Sequence, residues 1–180
     1  INVEGVKMSK SLGNFILAKD FIKNSKANIV KLAMFKTHYR LPFNIKEELF
    51  KECGLLDDKI YNTLKQASLQ IQLNDIVINQ IEQDENINKI MDEDFNTPNL
   101  ITYLLELIKE LNTALRNKGE IGLLYDKINL IINILGLHYD LKTLSKDDKK
   151  TYQEWLEAKE NKDYTKADEL REILANNNIL

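Results

Sequence analysis

Apolar residues recur at intervals of three and four positions along most of this chain of 180 residues. That spacing gathers them on one face of a helix, whereas alternation at every second position would indicate strands. Glycine and proline, which interrupt helices, occur only 6 and 2 times. The pattern therefore predicts an all-α protein.

The N-terminal part of the chain follows this pattern least closely. We interpret Ile1–Val6 as the end of a strand, with Glu4-Gly5 as a turn that precedes a loop. A short helix is predicted over residues 18–24, and Ser25 is placed to cap a second helix. That second helix must end before Pro42, because proline disfavours helical geometry in the residue that precedes it.

Capping signals predict where the middle helices begin. Asn44 and Glu47 have the spacing of a capping box, which would start a long helix. A further helix is predicted over residues 76–91. Thr97 at the cap, followed by Pro98 at the first helical position, indicates the start of the next helix.

The remaining helices are separated by glycines and by a polar segment. The most apolar helix runs over residues 98–117, and Gly119 is the predicted left-handed stop. Residues 121–135 form another helix that is closed by Gly136. Because short connections place consecutive helices side by side, these helices should form an antiparallel bundle. Ser145 then caps the first of two charged helices, predicted over residues 146–160 and 164–176.

Composition and charge narrow the class of protein. Apolar residues make up 43% and charged residues 29%, and no apolar run approaches the roughly 20 residues needed to span a bilayer. The single Cys53 excludes an internal disulfide, and we expect a cytoplasmic protein. The net charge is −3, but residues 1–50 carry +5 and residues 51–180 carry −8. The cationic N-terminal part suits a phosphate-rich ligand.

One short stretch carries candidate chemistry: Lys7-Met8-Ser9-Lys10-Ser11, followed by Leu12-Gly13-Asn14. Its ammonium groups, hydroxyls and backbone N–H groups could together bind the oxygens of a polyphosphate. The alternative is a solvated surface loop with incidental lysines, since most charged residues are simply exposed.

The complete string K-M-S-K-S-L-G-N resembles the signature loop of class I aminoacyl-tRNA synthetases. Three more stretches extend the resemblance: His38-Tyr39-Arg40, the run M-D-E-D-F-N-T-P over residues 91–98, and the closing stretch Lys159–Arg171. Together they resemble the C-terminal part of the cysteinyl-tRNA synthetase family. The resemblance covers essentially the whole chain.

The resemblance implies a division into three regions. Residues 1–43 would be the end of an α/β catalytic domain with the lysine loop and helices that contact the tRNA stem. Residues 44–140 would be a tRNA-binding helical bundle of the anticodon-binding type, and residues 141–180 a C-terminal helical pair. Because Ile1 precedes the loop by only six residues, we expect the rest of a catalytic domain upstream, and we expect these 180 residues alone to be inactive.

The resemblance also implies the chemistry. The family activates L-cysteine with ATP and Mg²⁺ and transfers it to tRNA(Cys). Lys10 and Lys7 are the expected catalytic residues, and ATP would be bound by Lys7, Met8, Ser9, Lys10 and Ser11. We expect no metal site in this chain, a Zn²⁺ site with ligands outside this sequence, no membrane partner, and a monomer.

Several alternatives remain open at this stage. Arg40 could contact tRNA, or it could be paired within a structural junction. The acidic residues 92–94 could bind a metal, although their spacing favours a structural corner. Tyr152, Trp155 and Tyr164 could stack on bases or form a small core. The protein itself could instead be a cysteine:amino-sugar ligase, which shares the lysine loop, or a non-catalytic helical binding module.

Overall fold

The computed structural model describes residues 1–23 and 25–180 and is predominantly helical, as the apolar spacing predicts. Its strands, β1 (Asn2–Val3), β2 (Val6–Lys7) and β3 (Asn44–Ile45), form a small sheet. Its helices are α1 (Ala18–Lys23), α2 (Ala27–Phe35), α3 (Glu47–Leu73), α4 (Glu85–Asp92), α5 (Thr97–Asn117), α6 (Gly122–Ile134), α7 (Lys146–Glu160) and α8 (Tyr164–Asn176). No helix within the described ranges is long and apolar enough to cross a membrane.

The chain divides into two compact units, and the long helix α3 contributes to both. The first unit comprises Ile1–Thr63 and Ile78–Tyr139, and the second comprises Leu64–Val77 and Asp140–Leu180.

The sheet lies in the first unit. β1 and β2 form an antiparallel hairpin in which Asn2 pairs with Lys7. The turn residues Glu4 and Gly5 have φ of 49° and 80°, left-handed values that glycine adopts without steric penalty. The strand and turn predicted at Ile1–Val6 are therefore confirmed. β3 pairs with β1 in parallel, with Asn44 opposite Asn2.

The capping box predicted before α3 is wrong. Asn44 lies in β3, and its side-chain Oδ1 accepts a hydrogen bond from the Gly5 N–H at 2.9 Å. The side chain is therefore occupied by the turn of the hairpin. α3 begins at Glu47, and both Glu47 and Glu48 lie in its first turn, where carboxylates interact favourably with the positive end of the helix dipole.

α2 also begins differently from the prediction. Its N-cap is Lys26, which makes no side-chain capping hydrogen bond, so the cap predicted at Ser25 is wrong. The first turn of this helix is instead bonded to a distant backbone segment. The Asn28 side chain donates to the His138 carbonyl at 2.8 Å and accepts the His138 N–H at 3.1 Å. This reciprocal pair joins α2 to the segment that follows α6.

The core of the first unit is built from the apolar faces of α5 and α6, with contributions from α2, α3 and α4. Its most deeply buried side chains are Leu32, Cys53, Ile60, Ile87, Leu100, Leu104, Ile108, Leu111, Ile128 and Ile131. Cys53 is completely buried, and burial raises the pKa of its thiol. It is therefore a small buried apolar group.

α5 ends at Asn117 as predicted, but it begins one residue earlier, and its N-cap and its left-handed stop each lie one residue before the predicted positions. Asn96 is the N-cap, and its side chain accepts the Asn99 N–H, whereas the Thr97 hydroxyl donates to the Phe35 carbonyl at 3.0 Å. At the other end Lys118 takes the left-handed conformation with φ of 54°, so the stop predicted at Gly119 is wrong. The stop predicted at Gly136 after α6 is confirmed by its φ of 59°.

The helix predicted over residues 76–91 is only half present, since α4 spans Glu85–Asp92. Before it, the N–H groups of Asn79 and Gln80 donate to the two carboxylate oxygens of Asp126, at 2.9 and 3.2 Å. Gln80 has φ of 49°, which a right-handed helix does not allow. Asp84 then caps α4 by accepting two backbone N–H groups.

The second unit contains the C-terminal part of α3 with α7 and α8. Ser145 caps α7 in a complete capping box with Asp148, which confirms the predicted start. A small core forms around Tyr152 and includes Leu174, Ile179 and Trp155. The core interpretation of the aromatic residues therefore holds for Tyr152 and Trp155, whereas Tyr164 is 67% exposed.

Candidate functional site

The lysine loop begins where the hairpin ends. Lys7 is the last residue of β2, and the Met8 N–H donates to the Ile1 carbonyl at 3.1 Å. The hairpin is in turn paired with β3, so the first residues of the loop are anchored through the sheet to the segment that leads into α3. The loop therefore extends from a structured base.

Hydrogen bonds within the loop close it into a compact turn. The Ser9 hydroxyl oxygen accepts the Leu12 N–H at 3.3 Å and lies 3.2 Å from the Ser11 hydroxyl. The Gly13 N–H donates to the Lys10 carbonyl at 3.2 Å, and Gly13 has φ of 68°, the left-handed region that glycine tolerates best. The backbone therefore turns tightly at Gly13.

The Asn14 side chain joins the two ends of this turn. Its Oδ1 accepts the Ser9 N–H at 2.9 Å, and its Nδ2 donates to the Lys7 carbonyl at 3.3 Å. The signature string contains Asn14, but the resemblance implies no role for it. Its position as the last residue of that string is the one signal that could have found it.

Both lysines of the loop present their ammonium groups at the surface. Lys7 and Lys10 are exposed, and the Lys10 Nζ lies 5.7 Å from the centroid of the Phe15 ring. Among the carboxylates whose side chains the structure describes, none forms an ion pair with either lysine. Two cations on a turn rich in hydroxyl and N–H donors are suited to bind an anion with several oxygens.

A second polar cluster lies in the first unit, where the segment after α2 meets the junction between α4 and α5. The Asp94 carboxylate accepts hydrogen bonds from the Tyr39 hydroxyl at 2.6 Å and from Nε and Nη2 of Arg40. The Arg40 guanidinium and then the Tyr39 hydroxyl hold the pKa of Asp94 well below its usual range. His38 Nε2 lies 3.9 Å from the same carboxylate.

The backbone at this cluster is unusual. Asp94 and Phe95 have φ of 55° and 54°, so two consecutive residues other than glycine are in the left-handed region. Such a conformation persists where surrounding contacts determine it, and here the hydrogen bonds of Asp94 do so. Residues 92–94 thus form the structural corner that we favour, and no group of three possible metal ligands exists among the described residues.

Arg40 therefore has the ion-pair partner that its structural interpretation requires. Its guanidinium remains about two-thirds exposed, at 65% of the side chain. Its proposed contact with tRNA stays a prediction, as do the roles assigned to Lys7, Met8, Ser9, Lys10 and Ser11.

An apolar groove of about 650 Å³ lies beside the Asp94 cluster in the first unit. Its lining includes Met34, Leu41, Phe43 and Phe95. Within the part of the chain that the structure describes, the lining contains no lysine or arginine. The groove therefore offers apolar contact, while the chemistry suited to phosphate belongs to the lysine loop.

Comparisons with known proteins find family matches in two separate parts of the chain. The family model described as the class I (C) tRNA synthetase catalytic domain matches residues 1–55, which include the lysine loop. The DALR domain model matches residues 86–139, which include α4, α5 and α6. Together the two matches cover more than half of the chain.

Individual relatives extend the likeness over the whole chain. A protein named cysteine–tRNA ligase from Mycoplasma mycoides is 34% identical over 188 residues, covering 100% of this chain and 42% of its own length. The proteins of the same name from Acholeplasma laidlawii and Staphylococcus aureus are 32% and 33% identical, with 39% and 42% of their lengths covered. The chain thus spans about two fifths of the length of these relatives.

The lysine loop on its hairpin, followed by a helical unit with the DALR match, identifies the chain as part of a class I aminoacyl-tRNA synthetase. Within that class it belongs to the cysteinyl-tRNA synthetase family, and it matches the C-terminal part of that family.

Proposed function

We propose that this chain is the C-terminal part of a cysteine–tRNA ligase. The ligase would activate L-cysteine with ATP and then transfer the cysteinyl group to tRNA(Cys). The single observation that carries the proposal is the closed Lys7–Ser11 loop with both of its ammonium groups exposed. The names of the relatives supply the amino acid and the acceptor.

In the first step the cysteine carboxylate attacks the α-phosphorus of ATP, and pyrophosphate leaves. Negative charge grows on the leaving group, so cations already placed beside it stabilise the transition state more than the ground state. We assign this role to Lys10, with Lys7 in support, and assign ATP binding to Met8, Ser9 and Ser11 as well. A lysine on a flexible stem can follow the phosphates as the loop closes.

Mg²⁺ would accompany the ATP phosphates as part of the substrate, and the Zn²⁺ site expected for the family would have its ligands outside this sequence. The described residues supply no acidic, histidine or cysteine cluster for either ion.

For the tRNA we propose the division suggested by the sequence: residues 1–43 with the loop and stem-contact helices, residues 44–140 as the tRNA-binding bundle, and residues 141–180 as the C-terminal helical pair. The DALR match over residues 86–139 favours this acceptor over the amino-sugar of the alternative ligase. We further propose that the ligase works as a cytoplasmic monomer.

The test is the two-step reaction of the complete ligase that contains this chain. We expect ATP–pyrophosphate exchange that depends on cysteine, followed by charging of a tRNA(Cys) transcript. Exchange without tRNA charging, but with transfer to an amino-sugar, would replace the proposed acceptor. If a folded, Zn²⁺-loaded ligase shows no exchange with cysteine, the binding-module alternative takes its place.

Arg40 gives a second test, directed at tRNA binding. Its exposed guanidinium could contact one phosphate, although that phosphate must compete with the Asp94 carboxylate. We expect Arg40→Ala to reduce the slope of log Kd for tRNA(Cys) against log salt concentration by about 1, with weaker binding at low salt.

A matched control is Lys150→Ala, because Lys150 is also an exposed cation, with Glu154 as its partner at 3.8 Å, and it lies outside the proposed tRNA-binding bundle. The control should leave the salt slope unchanged. An Arg40→Ala ligase with the salt slope of the parent would restrict Arg40 to its contact with Asp94.

A further inference from the structure

Asn14 makes a pair of hydrogen bonds that only an amide side chain can make from one position. Its Oδ1 accepts from the Ser9 N–H while its Nδ2 donates to the Lys7 carbonyl. A carboxylate would accept but could not donate, and a hydroxyl is too short to separate the two functions across the loop. The side chain is half-buried, so water competes less for these bonds than at a fully exposed site.

These bonds fix the backbone on both sides of Met8 and close residues 7 to 14 into a ring. Lys10 lies on that ring, and its carbonyl is held by the Gly13 N–H. The residue after Asn14 is Phe15, whose ring lies 5.7 Å from the Lys10 Nζ. Asn14 thus closes the turn that carries the Lys10 backbone, and it directly precedes the residue whose ring lies beside the Lys10 ammonium group.

We infer that Asn14 is a positioning residue for Lys10 in the cysteine-activating step. It does not touch the phosphates, and it acts by holding the loop in the form that presents the ammonium group to the leaving pyrophosphate. The inference rests on the proposed function, because it requires the loop to bind ATP. Without Asn14 the loop would lack these bonds and would have to become ordered in each catalytic cycle. The free-energy cost of that ordering reduces the net stabilisation of the transition state.

The test compares four forms of the complete ligase: the parent, Asn14→Ala, Lys10→Ala and the double variant. Cysteine-dependent ATP–pyrophosphate exchange gives kcat and the KM values for ATP and cysteine. We expect Asn14→Ala to lower kcat/KM for ATP by about tenfold with an unchanged KM for cysteine. Because Asn14 acts through Lys10, the double variant should be no slower than Lys10→Ala alone.

Two further measurements separate positioning from general loss of structure. Hydrogen exchange of the Ser9 amide should become at least tenfold faster in Asn14→Ala, because its acceptor is gone. Asn74→Ala is the matched control, since the Asn74 side chain also donates to a backbone carbonyl, that of Gln70 at 2.8 Å, but lies in the second unit. That control should leave the exchange kinetics unchanged.

The outcomes distinguish this inference from the proposed function. If Lys10→Ala loses exchange while Asn14→Ala keeps the kinetics of the parent, the inference is overturned and the proposed function stands. Effects that multiply in the double variant would also overturn it, because Asn14 would then act independently of Lys10. If Lys10→Ala itself retains full exchange, the role of the loop in the proposed function fails, and the inference fails with it.

Discussion

Replacing Lys10 by alanine is expected to lower cysteine-dependent ATP–pyrophosphate exchange by about 100-fold or more. The Lys10 ammonium is exposed on the closed loop and is free of carboxylate partners among the described side chains, so its charge is available to a ligand. Removing a cation that interacts mainly with the developing charge should reduce kcat more than it raises the KM for ATP. The measurement is steady-state exchange at varied ATP concentration.

The control for this prediction is Lys23→Ala, which removes an exposed lysine from the last turn of α1. It leaves the loop intact and should keep the exchange rate of the parent. Lys10→Arg retains a positive charge in a different shape, so its activity should fall between those of the parent and Lys10→Ala. An Ala variant as active as the Arg variant would mean that charge at residue 10 does not contribute to activation.

The features predicted correctly from the sequence are those determined by residues close together in the chain. The hairpin turn follows from Glu4-Gly5, the cap of α7 from Ser145, and the left-handed stop after α6 from Gly136. Each depends on partners only a few residues apart. The loop could likewise be located because its residues are contiguous in a specific string.

Several of the wrong predictions involve partners that are distant in the chain. Asn44 has a suitable spacing for a helix cap, but its side chain bonds to Gly5, 39 residues earlier. Thr97 is displaced from the cap by a bond to the carbonyl of Phe35, 62 residues earlier. The partner of Arg40, Asp94, is 54 residues away and could be described only as part of an acidic corner. A sequence pattern does not reveal which distant group a polar side chain will hydrogen-bond to.

The segment before α4 is the largest of these cases, and it gives the second major prediction. Asp126 in α6 is only 2% exposed, and its two carboxylate oxygens accept the N–H groups of Asn79 and Gln80. Apolar spacing favours a helix there, but a buried carboxylate must be satisfied by donors, and these two N–H groups satisfy it. Helix formation over residues 76–84 would leave Asp126 without these donors.

Asp126→Ala is therefore expected to lower the free energy of unfolding by about 3 kcal/mol, because it removes two charge-assisted hydrogen bonds and leaves two amides without acceptors. Asp126→Asn keeps one acceptor oxygen and should lose about half as much stability.

The control is Glu110→Ala, which removes an exposed carboxylate from α5 in the same unit and should change the free energy of unfolding by no more than about 0.5 kcal/mol. Urea unfolding followed by circular dichroism measures these differences, and hydrogen exchange at Asn79 and Gln80 locates them. If Asp126→Ala is no less stable than Glu110→Ala, or if the two amides keep their protection, the bonds to Asp126 are not what holds this segment out of a helix.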